Sequence, residues 1–514
     1  MVAPHRRTFL LAAGGVLLGA WPPRLLAQPR FANYPFTLGV ASGYPQADGI
    51  VLWTRLAPDP LHGGGMPEAA VAVVWEIADS ASFSAVLRQG VAHATPELAH
   101  AVHVEISGLQ PARWYWYRFH VGDATSASGR FRTAPAAAAA NGRLRFALAS
   151  CQQYEQGYFS AYRHMAREDL DLVIHVGDYI YESSWGNNRV RSHDSPEAVT
   201  LTDYRNRYAL YKSDVDLQAA HAAFPWLVTW DDHEVSNDYA NDRSQRLDAP
   251  AAFLQRRAAA YQAYYEHMPL PAAARPRGPQ AQLYMQTAFG QLARFYVLDD
   301  RQYRSHQVCA RPGRGGSAVV HAAQCAQRLS PELTLLGIEQ ERWLEAALAK
   351  SSAGWNIIAQ QTLMAQHNRS GTEPSYWTDG WDGYPKARER LLGYIAQRSI
   401  SNPLVLGGDV HSGIVADLKV DFDDPQAPVV ATEFVGTSIS SQGPNLKTSE
   451  AARLNNPHLK FHDGTRRGYT AFELTPAQCQ VRMRTLSRVT DPQAVIKDAA
   501  RFVVESGTPG AHNA

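Results

Sequence analysis

The stretch that most constrains the fold is a short apolar run, Leu-Val-Ile-His-Val at residues 172–176, which stops at Gly177 and Asp178. An apolar run of this length that ends at a turn is typical of a strand buried in a parallel sheet. Ligands in α/β proteins gather beyond the carboxyl ends of such strands. Asp178 follows a glycine that lets the backbone turn, so it is a candidate metal ligand.

Three other apolar runs end in the same way, and each is followed by side chains that can bind metal. The four strand-end segments are residues 149–152, 177–181, 230–238 and 407–412. Each segment supplies Asp, His, Cys, Tyr or Asn. One such segment would carry little weight, but four at matching strand ends are hard to produce by chance. We therefore expect them to contribute to one site.

The order of the patterns along the chain predicts two domains. Residues 36–133 contain short β-branched or aromatic runs separated by turn signals, and the later runs resemble strands of a fibronectin type III-like sandwich. An alanine-rich linker follows, from Pro135 to Gly142. Beyond it, strands alternate with helices and with direct strand-to-strand connections. The predicted fold is a layered α/β sandwich over residues 143–505, preceded by a small fibronectin III-like β-sandwich over residues 33–135.

Length and charge agree with this division and exclude one class of partner. A chain of 514 residues exceeds the usual size of a single hydrophobic core. Its 49 Lys and Arg residues nearly balance its 48 Asp and Glu residues. Without an excess of basic charge, electrostatic binding to nucleic acid is not expected.

The first 27 residues are predicted to be a targeting segment. Arg6 and Arg7 precede a short apolar run, and Leu25-Leu26-Ala27 offers a cleavage site. The run is too short and too rich in glycine to predict a transmembrane helix. Arg-Arg-x-Phe-Leu resembles the bacterial twin-arginine signal, which implies export of a folded protein by the twin-arginine machinery. The expected location is periplasmic or secreted, with no transmembrane segment in the mature chain.

The four cysteines do not form a disulfide framework. Cys309 and Cys325 bracket a loop-like stretch, Arg-Pro-Gly-Arg-Gly-Gly-Ser, and could pair in an oxidising compartment. Whether they do so is left open by the sequence. Cys479 has no evident partner, and Cys151 belongs to the first strand-end segment.

The strand-end side chains suit two different ions. Thiolate, phenolate and imidazole suit a transition metal, whereas the oxygens of Asp and Asn suit calcium, magnesium or manganese. Ferric iron is the transition ion most readily matched to a phenolate, because a tyrosine with an ordinary pKa of about 10 must lose its proton. Asp178 is the natural carboxylate to bridge two ions.

The chain as a whole resembles the PhoD-type alkaline phosphatases, a branch of the calcineurin-like metallophosphoesterases related to purple acid phosphatases. The wider superfamily has Asp-x-His, Asn-His and His-x-His motifs, whereas this chain has Ser-Cys-Gln, Asp-Asp-His-Glu and Gly-Asp-Val-His. These departures are the ones that the PhoD branch makes. The resemblance covers essentially the whole mature chain, including the N-terminal β-rich region.

The resemblance implies roles for individual residues. Fe³⁺ and Ca²⁺ would be the cofactors, with other divalent ions admissible at the second site. His233 would act as proton donor or charge stabiliser over the phosphate, and Arg205 is a candidate phosphate contact. The implied metal ligands are Cys151, Asp178, Tyr181 and His411 for iron, and Asp178, Asp409 and either Asp232 or Asn237 for calcium. The choice between Asp232 and Asn237 stays open.

The predicted function is hydrolysis of phosphate esters by an exported metalloenzyme, through attack of a metal-bound hydroxide and release of inorganic phosphate. Small phosphomonoesters are the expected substrates, with diesters also admissible. A phosphodiesterase or phospholipase D-type hydrolase with the same metals is one alternative. A non-catalytic surface-binding protein with structural metals is the other. A monomer is expected.

Overall fold

The computed structural model describes residue 31 and residues 33–514. The predicted targeting segment, residues 1–27, lies outside this range. Within the described residues, no helix combines the length and the apolar character needed to cross a membrane.

Helices are fewer than strands in the described part of the chain. The helices are α1 (Ser160–Met165), α2 (Leu201–Lys212), α3 (Val215–Ala223), α4 (Pro250–His267), α5 (Ile338–Ala349), α6 (Pro385–Gln397) and α7 (Leu446–Asn455). The strands are β1 (Val40–Gly43), β2 (Ile50–Arg55), β3 (Val71–Ala78), β4 (Val86–Ala94), β5 (Ala101–Ile106), β6 (Trp114–Val121), β7 (Ala124–Thr125), β8 (Gly129–Arg132), β9 (Leu144–Ala149), β10 (Leu172–Val176), β11 (Pro225–Thr229), β12 (Met285–Phe289), β13 (Ala293–Val297), β14 (Val319–His321), β15 (Trp355–Ala359), β16 (Ser375–Trp377), β17 (Pro403–Gly407), β18 (Gly413–Lys419), β19 (Val429–Val435), β20 (Leu459–Asp463), β21 (Gly468–Leu474), β22 (Gln478–Leu486), β23 (Ile496–Glu505) and β24 (His512–Asn513).

Two large sheets form the centre of the described molecule. The larger has the order β24-β23-β22-β21-β9-β10-β11-β1-β2-β5, and the smaller has the order β12-β13-β15-β17-β19-β18-β20. Strands β9, β10 and β11 run parallel, as do β13, β15, β17 and β19. Strands β10, β11, β15 and β17 are wholly buried, as expected for apolar strands covered on both faces.

Aromatic side chains join the facing surfaces of the two sheets. Phe146 of β9 meets Phe295 of β13 edge to face, with ring centroids 5.4 Å apart. Phe472 of β21 meets Phe434 of β19 in the same way at 5.5 Å. Helices α1 and α3 contribute to the core on the larger sheet, and α5 and α6 to a second core on the smaller sheet. The predicted layered α/β sandwich is therefore confirmed.

The N-terminal sandwich is continuous with the larger sheet. Its outer sheet contains β4, β3, β6, β7 and β8, but its inner strands β1, β2 and β5 extend the ten-stranded sheet. The junction is a parallel pairing of β1 with β11, in which Ser42 lies opposite Pro225. A separate core that includes Leu52, Val73 and Phe119 fills the space between the two layers. The linker at residues 135–142 thus separates the two regions in sequence, although strands from both regions belong to the same ten-stranded sheet.

Near the C-terminus, two strands form an antiparallel hairpin that is followed by two further strands. Strands β21 and β22 pair with each other, and β23 and β24 then continue the sheet to its edge.

Cys309 and Cys325 form a disulfide in the described structure, with 6.0 Å between their Cα atoms. This pairing answers the question that the sequence left open. Cys151 and Cys479 are free and buried.

Candidate metal centre

The four predicted strand-end segments meet at one place. Strands β9, β10 and β11 are neighbours in the larger sheet, so the segments that follow them emerge side by side. The segment after β17 approaches from the smaller sheet. Four overlapping groups of described residues have donor atoms within 4.8 Å of one another: Cys151, Asp178 and His411; Asp178, Asp232 and His233; Asp231, Asp232 and Asp409; and Asp232, Asp238 and Asp379.

The backbone at this junction is strained. Cys151, Asp178, Asp409 and His411 all have positive φ, at 57°, 55°, 63° and 52°. Non-glycine residues rarely adopt this left-handed conformation, which costs on the order of 1–3 kcal/mol per residue and is concentrated at functional sites. Gly177 turns the chain before Asp178 with φ of 104°, and a Cβ there would lie 2.4 Å from the Cβ of Asp231. Only glycine fits that position.

One side of the site contains the Cys151 thiol, the Tyr181 phenol and the His411 imidazole. The Tyr181 hydroxyl donates to Asp178 Oδ2 at 2.7 Å and lies 3.1 Å from His411 Nε2. His411 Nδ1 lies 2.7 Å from the carbonyl oxygen of Gln442, which orients the ring and leaves Nε2 for a ligand. Burial lowers the pKa of His411 to about 3, so this imidazole is neutral and keeps a lone pair.

The thiol and the phenol on this side are held in their neutral forms by burial. Cys151 is 1% exposed and Tyr181 is fully buried. Burial raises the pKa of both groups well above their ordinary values, and the nearby Asp178 carboxylate raises them further. A bound cation reverses this preference, because positive charge stabilises thiolate and phenolate. The donor set of this side therefore fits a highly charged transition ion.

The other side of the site is built from carboxylates. Asp409 Oδ2 accepts a hydrogen bond from Thr362 Oγ1 at 2.8 Å, and Asp232 Oδ2 accepts one from the backbone N–H of Asp238 at 2.6 Å. Asp178 Oδ1 and Asp232 Oδ1 are buried, and neither has a hydrogen-bond partner among the described residues. Buried oxygens are rarely left in this state. Two such oxygens within the same group of donors fit a hard cation such as calcium.

Asn237, the alternative to Asp232 as a calcium ligand, lies with Asp232 along an open cleft above these carboxylates. Its backbone N–H donates to Glu182 Oε1 at 2.9 Å. Both candidates are thus near the carboxylates.

His233 lies at the edge of the carboxylate side and is paired with a buried acid. Its Nδ1 is 2.7 Å from Glu182 Oε2, and its ring centroid is 4.2 Å from that of Tyr181. Burial alone would lower the pKa of His233, but the negative charges of Glu182, Asp232 and Asp178 outweigh burial, and the pKa lies well above its ordinary value. These charges favour the protonated ring, which can donate a proton.

Glu234 has a supporting role that the sequence did not reveal. Its carboxylate accepts hydrogen bonds from the backbone N–H groups of Asp178 (3.1 Å), Tyr179 (2.6 Å) and Asp231 (2.8 Å). It therefore ties together the turns that follow β10 and β11. Its position in the Asp-Asp-His-Glu segment was the available signal, but the partners could not be deduced from the sequence.

Arg301 is a second residue that sequence reasoning missed. The side chain is fully buried, and its guanidinium bonds Asp231 Oδ1 at 2.5 Å and Asp379 Oδ2 at 2.7 Å. It also lies 3.7 Å from Asp232 and 3.8 Å from Asp409. A signal was present, because Asp299-Asp300-Arg301 follows β13 as the other segments follow their strands.

The structure does not bring Arg205 to the site, so the expected phosphate contact is corrected. Arg205 lies in α2 and binds both carboxylate oxygens of Glu266 in α4, at 2.7 and 2.6 Å. Glu266 is fully buried, and a buried carboxylate needs a paired charge. The ion pair between Arg205 and Glu266 therefore joins α2 to α4.

A cleft of about 590 Å³ opens over these side chains and is large enough for a small organic molecule. The described site thus belongs to an α/β protein with carboxylate, imidazole, thiol and phenol donors clustered at the ends of parallel strands. This combination is suited to binding metal ions at the floor of an open cleft.

Comparisons with known proteins identify the family. Residues 146–483 match the PhoD-like phosphatase model, and residues 21–135 match the model of the PhoD-like phosphatase N-terminal domain. The chain is 47% identical to alkaline phosphatase D of Bacillus subtilis (strain 168), over 98% of this chain and 88% of that protein. A solved structure of PhoD superimposes with a TM-score of 0.90 at 48% identity, covering 94% of this chain and 93% of the other. The chain belongs to the PhoD-like phosphatase family.

Membership makes this chain a phosphoric ester hydrolase and confirms the resemblance found in the sequence. The alternative of a non-catalytic surface protein is set aside for the same reason.

Proposed function

We propose that this protein is an exported, metal-dependent alkaline phosphatase that releases inorganic phosphate from phosphomonoesters and also accepts diesters. The observation that carries the proposal is the pair of unpartnered, buried oxygens, Asp178 Oδ1 and Asp232 Oδ1, at the junction of the donor groups. The 47% identity to an alkaline phosphatase supports the reaction. Export rests on the twin-arginine pattern at Arg6 and Arg7, which favours a periplasmic or secreted location.

The residues divide into two ligand sets. Cys151, Tyr181 and His411 would hold Fe³⁺ on one side, and Asp409 would hold Ca²⁺ on the other, with Asp178 shared between them. Asp232 is the stronger candidate for the remaining calcium ligand, because one of its oxygens is unpartnered. The chemistry that such ions supply is neutralisation of charge on the phosphate oxygens and activation of the attacking water.

His233 is the proposed proton donor to the leaving alkoxide. Glu182 holds its Nδ1 at 2.7 Å and thereby leaves Nε2 as the nitrogen available to the substrate. The Glu182 carboxylate, which is outside the two ligand sets, favours the protonated ring, and that ring can supply a proton when the ester bond breaks. Glu182 acts through His233, because it orients the imidazole and stabilises its positive charge.

The rival function within the same class is a phosphodiesterase or phospholipase D-type hydrolase. The 590 Å³ cleft favours this function, since a monoester of a small alcohol would occupy only part of it. The two activities share the same metal ligands and differ in what the rest of the cleft binds.

Metal analysis combined with a substrate panel tests the proposal. We expect the natively exported protein to contain iron and calcium, and we expect chelation to lower kcat/KM for p-nitrophenyl phosphate by about a thousandfold or more, which corresponds to about 4 kcal/mol of lost electrostatic stabilisation. Bis-p-nitrophenyl phosphate and phosphatidylcholine, assayed alongside, separate monoesterase from diesterase activity. Full turnover by protein stripped of all metal would contradict the proposal.

Tyr181→Phe tests the assignment of iron. A ferric phenolate gives a visible charge-transfer band, so this change should remove that phenolate band from the spectrum of the loaded enzyme, while absorption from the Cys151 thiolate would remain. Tyr179→Phe is the matched control, because Tyr179 is a buried neighbour whose hydroxyl lies 2.8 Å from His221 Nε2 and is outside the donor groups. Absorption spectra at equal iron content provide the measurement. A band that persists unchanged in Tyr181→Phe would rule out the phenolate ligand.

A further inference from the structure

One wall of the cleft is a small structural unit assembled from two distant segments. This recognition wall consists of residues 309–325 and 368–377. Strands β14 and β16 join the segments as an antiparallel ribbon, in which Val319 lies opposite Trp377 and His321 lies opposite Ser375. The Cys309–Cys325 disulfide closes the first segment into a loop. The arginine- and glycine-rich stretch noted in the sequence is therefore part of an ordered ribbon.

Contacts with the segment after β11 fix this wall against the cleft. The backbone N–H and the hydroxyl of Ser317 donate to Asp238 Oδ2 at 3.0 and 2.6 Å. The N–H of Gly315 donates to the carbonyl oxygen of Gln245 at 2.9 Å. Gly316 has φ of 77°, and a Cβ there would lie 2.8 Å from the Cβ of Asp238. These contacts fix the position of the recognition wall relative to the metal-binding side chains.

The wall presents two arginines to the cleft without a carboxylate partner. Arg314 and Arg369 line the same cleft as Asp178 and Asp409. Arg314 donates to Gln245 Oε1 at 2.6 Å. The Arg369 guanidinium lies 5.4 Å from the ring centroid of Trp377. Within the described residues, neither arginine forms an ion pair.

A third arginine that lines the cleft, Arg246, does have a carboxylate partner. Arg246 forms an ion pair with Glu197 at 2.5 Å. Its charge is therefore compensated, while the charges of Arg314 and Arg369 are available to a ligand. Guanidinium groups match the geometry of phosphate and carboxylate, and an aromatic face beneath one of them adds a platform for the organic part of a ligand.

We propose that the recognition wall binds a second anionic group of the substrate, so that the preferred esters carry another phosphate or a carboxylate beyond the scissile phosphate. The inference rests on the proposed phosphatase activity and specifies its substrate class. The metal-binding side chains account for one phosphate at the floor of the cleft. Arg314, Arg369 and Trp377 then account for a charged extension of the substrate along one wall.

Pairs of substrates that differ by one anionic group test the inference. Fructose 6-phosphate is compared with fructose 1,6-bisphosphate, and phenyl phosphate with 4-carboxyphenyl phosphate, so that the second phosphate and the carboxylate are tested separately. We expect the kcat/KM ratio of the doubly charged to the singly charged ester to fall about tenfold in the Arg314→Gln/Arg369→Gln double variant, as for loss of a charge-assisted hydrogen bond. Arg311→Gln is the control, because this exposed arginine of the same loop does not line the cleft.

The ionic strength dependence of the unmodified enzyme provides a second measurement that needs no variant. The same ratio should fall as salt is raised, since partly exposed charges are screened. The inference is overturned if the double variant lowers kcat/KM equally for both members of a pair, or if the ratio is insensitive to both the variant and the salt. Absence of phosphate release from every ester would instead overturn the proposed function, so the two failures are distinguishable.

Discussion

Asp178→Asn is expected to lower kcat/KM for p-nitrophenyl phosphate by about a thousandfold, which corresponds to about 4 kcal/mol of lost stabilisation of the transition state. Asp178 belongs to both the thiol-containing group and the His233-containing group of donors, so this single carboxylate serves both sides of the site. Asparagine tolerates the left-handed backbone of this position and removes only the charge. Steady-state kinetics and metal content measured on the same preparation would check the prediction.

Asp194→Asn is the matched control for this change. Asp194 is also an aspartate with positive φ, at 52°, but it is exposed and does not line the cleft. The control should retain the activity and the metal content of the unmodified protein. If Asp178→Asn retained both as well, Asp178 could not be the bridging ligand and the proposed site would have to be redrawn.

Arg301→Met is expected to lower the free energy of unfolding by about 3–5 kcal/mol, the usual cost of removing one partner from a buried ion pair. Methionine replaces the stem of the side chain but leaves Asp231 buried without its countercharge, and it leaves Asp379 paired with Arg304 alone. Denaturation by guanidinium chloride, followed at constant metal concentration, measures the change.

The dependence of this loss on pH gives a further check. Burial raises the pKa of Asp231 well above its ordinary value, while Arg301 lowers it, so removal of Arg301 should raise the pKa further. A carboxyl group whose pKa is raised by folding destabilises the protein only while it is ionised. The loss in Arg301→Met should therefore shrink as the pH is lowered.

Arg501→Met is the control for Arg301→Met. The Arg501 side chain is 62% exposed and pairs with Asp498 at 2.7 Å, so its removal should cost no more than about 1 kcal/mol. Equal losses in the two variants would show that the Arg301 network does not stabilise the centre of the molecule.

The clustering of the strand-end side chains could be predicted because their signals are local. Each apolar run and the polar residues that follow it are contiguous in sequence, as in Val176-Gly177-Asp178. Parallel strands place their carboxyl ends at one edge, so the convergence of such segments follows from the fold class alone. Eight of the predicted site residues accordingly lie in these segments, and Arg205, which lies in none of them, is the one that the structure placed elsewhere.

Helices α2 and α4 were not predicted because they lack a clear apolar stripe. Both helices are rich in tyrosine and arginine, and side chains on several faces are buried, including Arg207 in α2 and Arg256 in α4. The spacing of apolar residues reveals a helix only when one face is buried and the opposite face is exposed to solvent. A helix that is enclosed on most sides, and whose polar groups are hydrogen-bonded internally, loses that signal.

The sequence by itself determined the α/β class, the β-rich N-terminal region and the strand-end side chains of the candidate metal centre. Only the tertiary structure decided that β1, β2 and β5 extend the larger sheet, that Arg205 pairs with Glu266, and that the disulfide loop with Arg314 forms a wall beside Arg369. The physical reason is the range of the interactions. Apolar patterns and turns act between neighbouring residues, whereas strand pairing and buried ion pairs join residues that are far apart in the chain and depend on how whole elements pack.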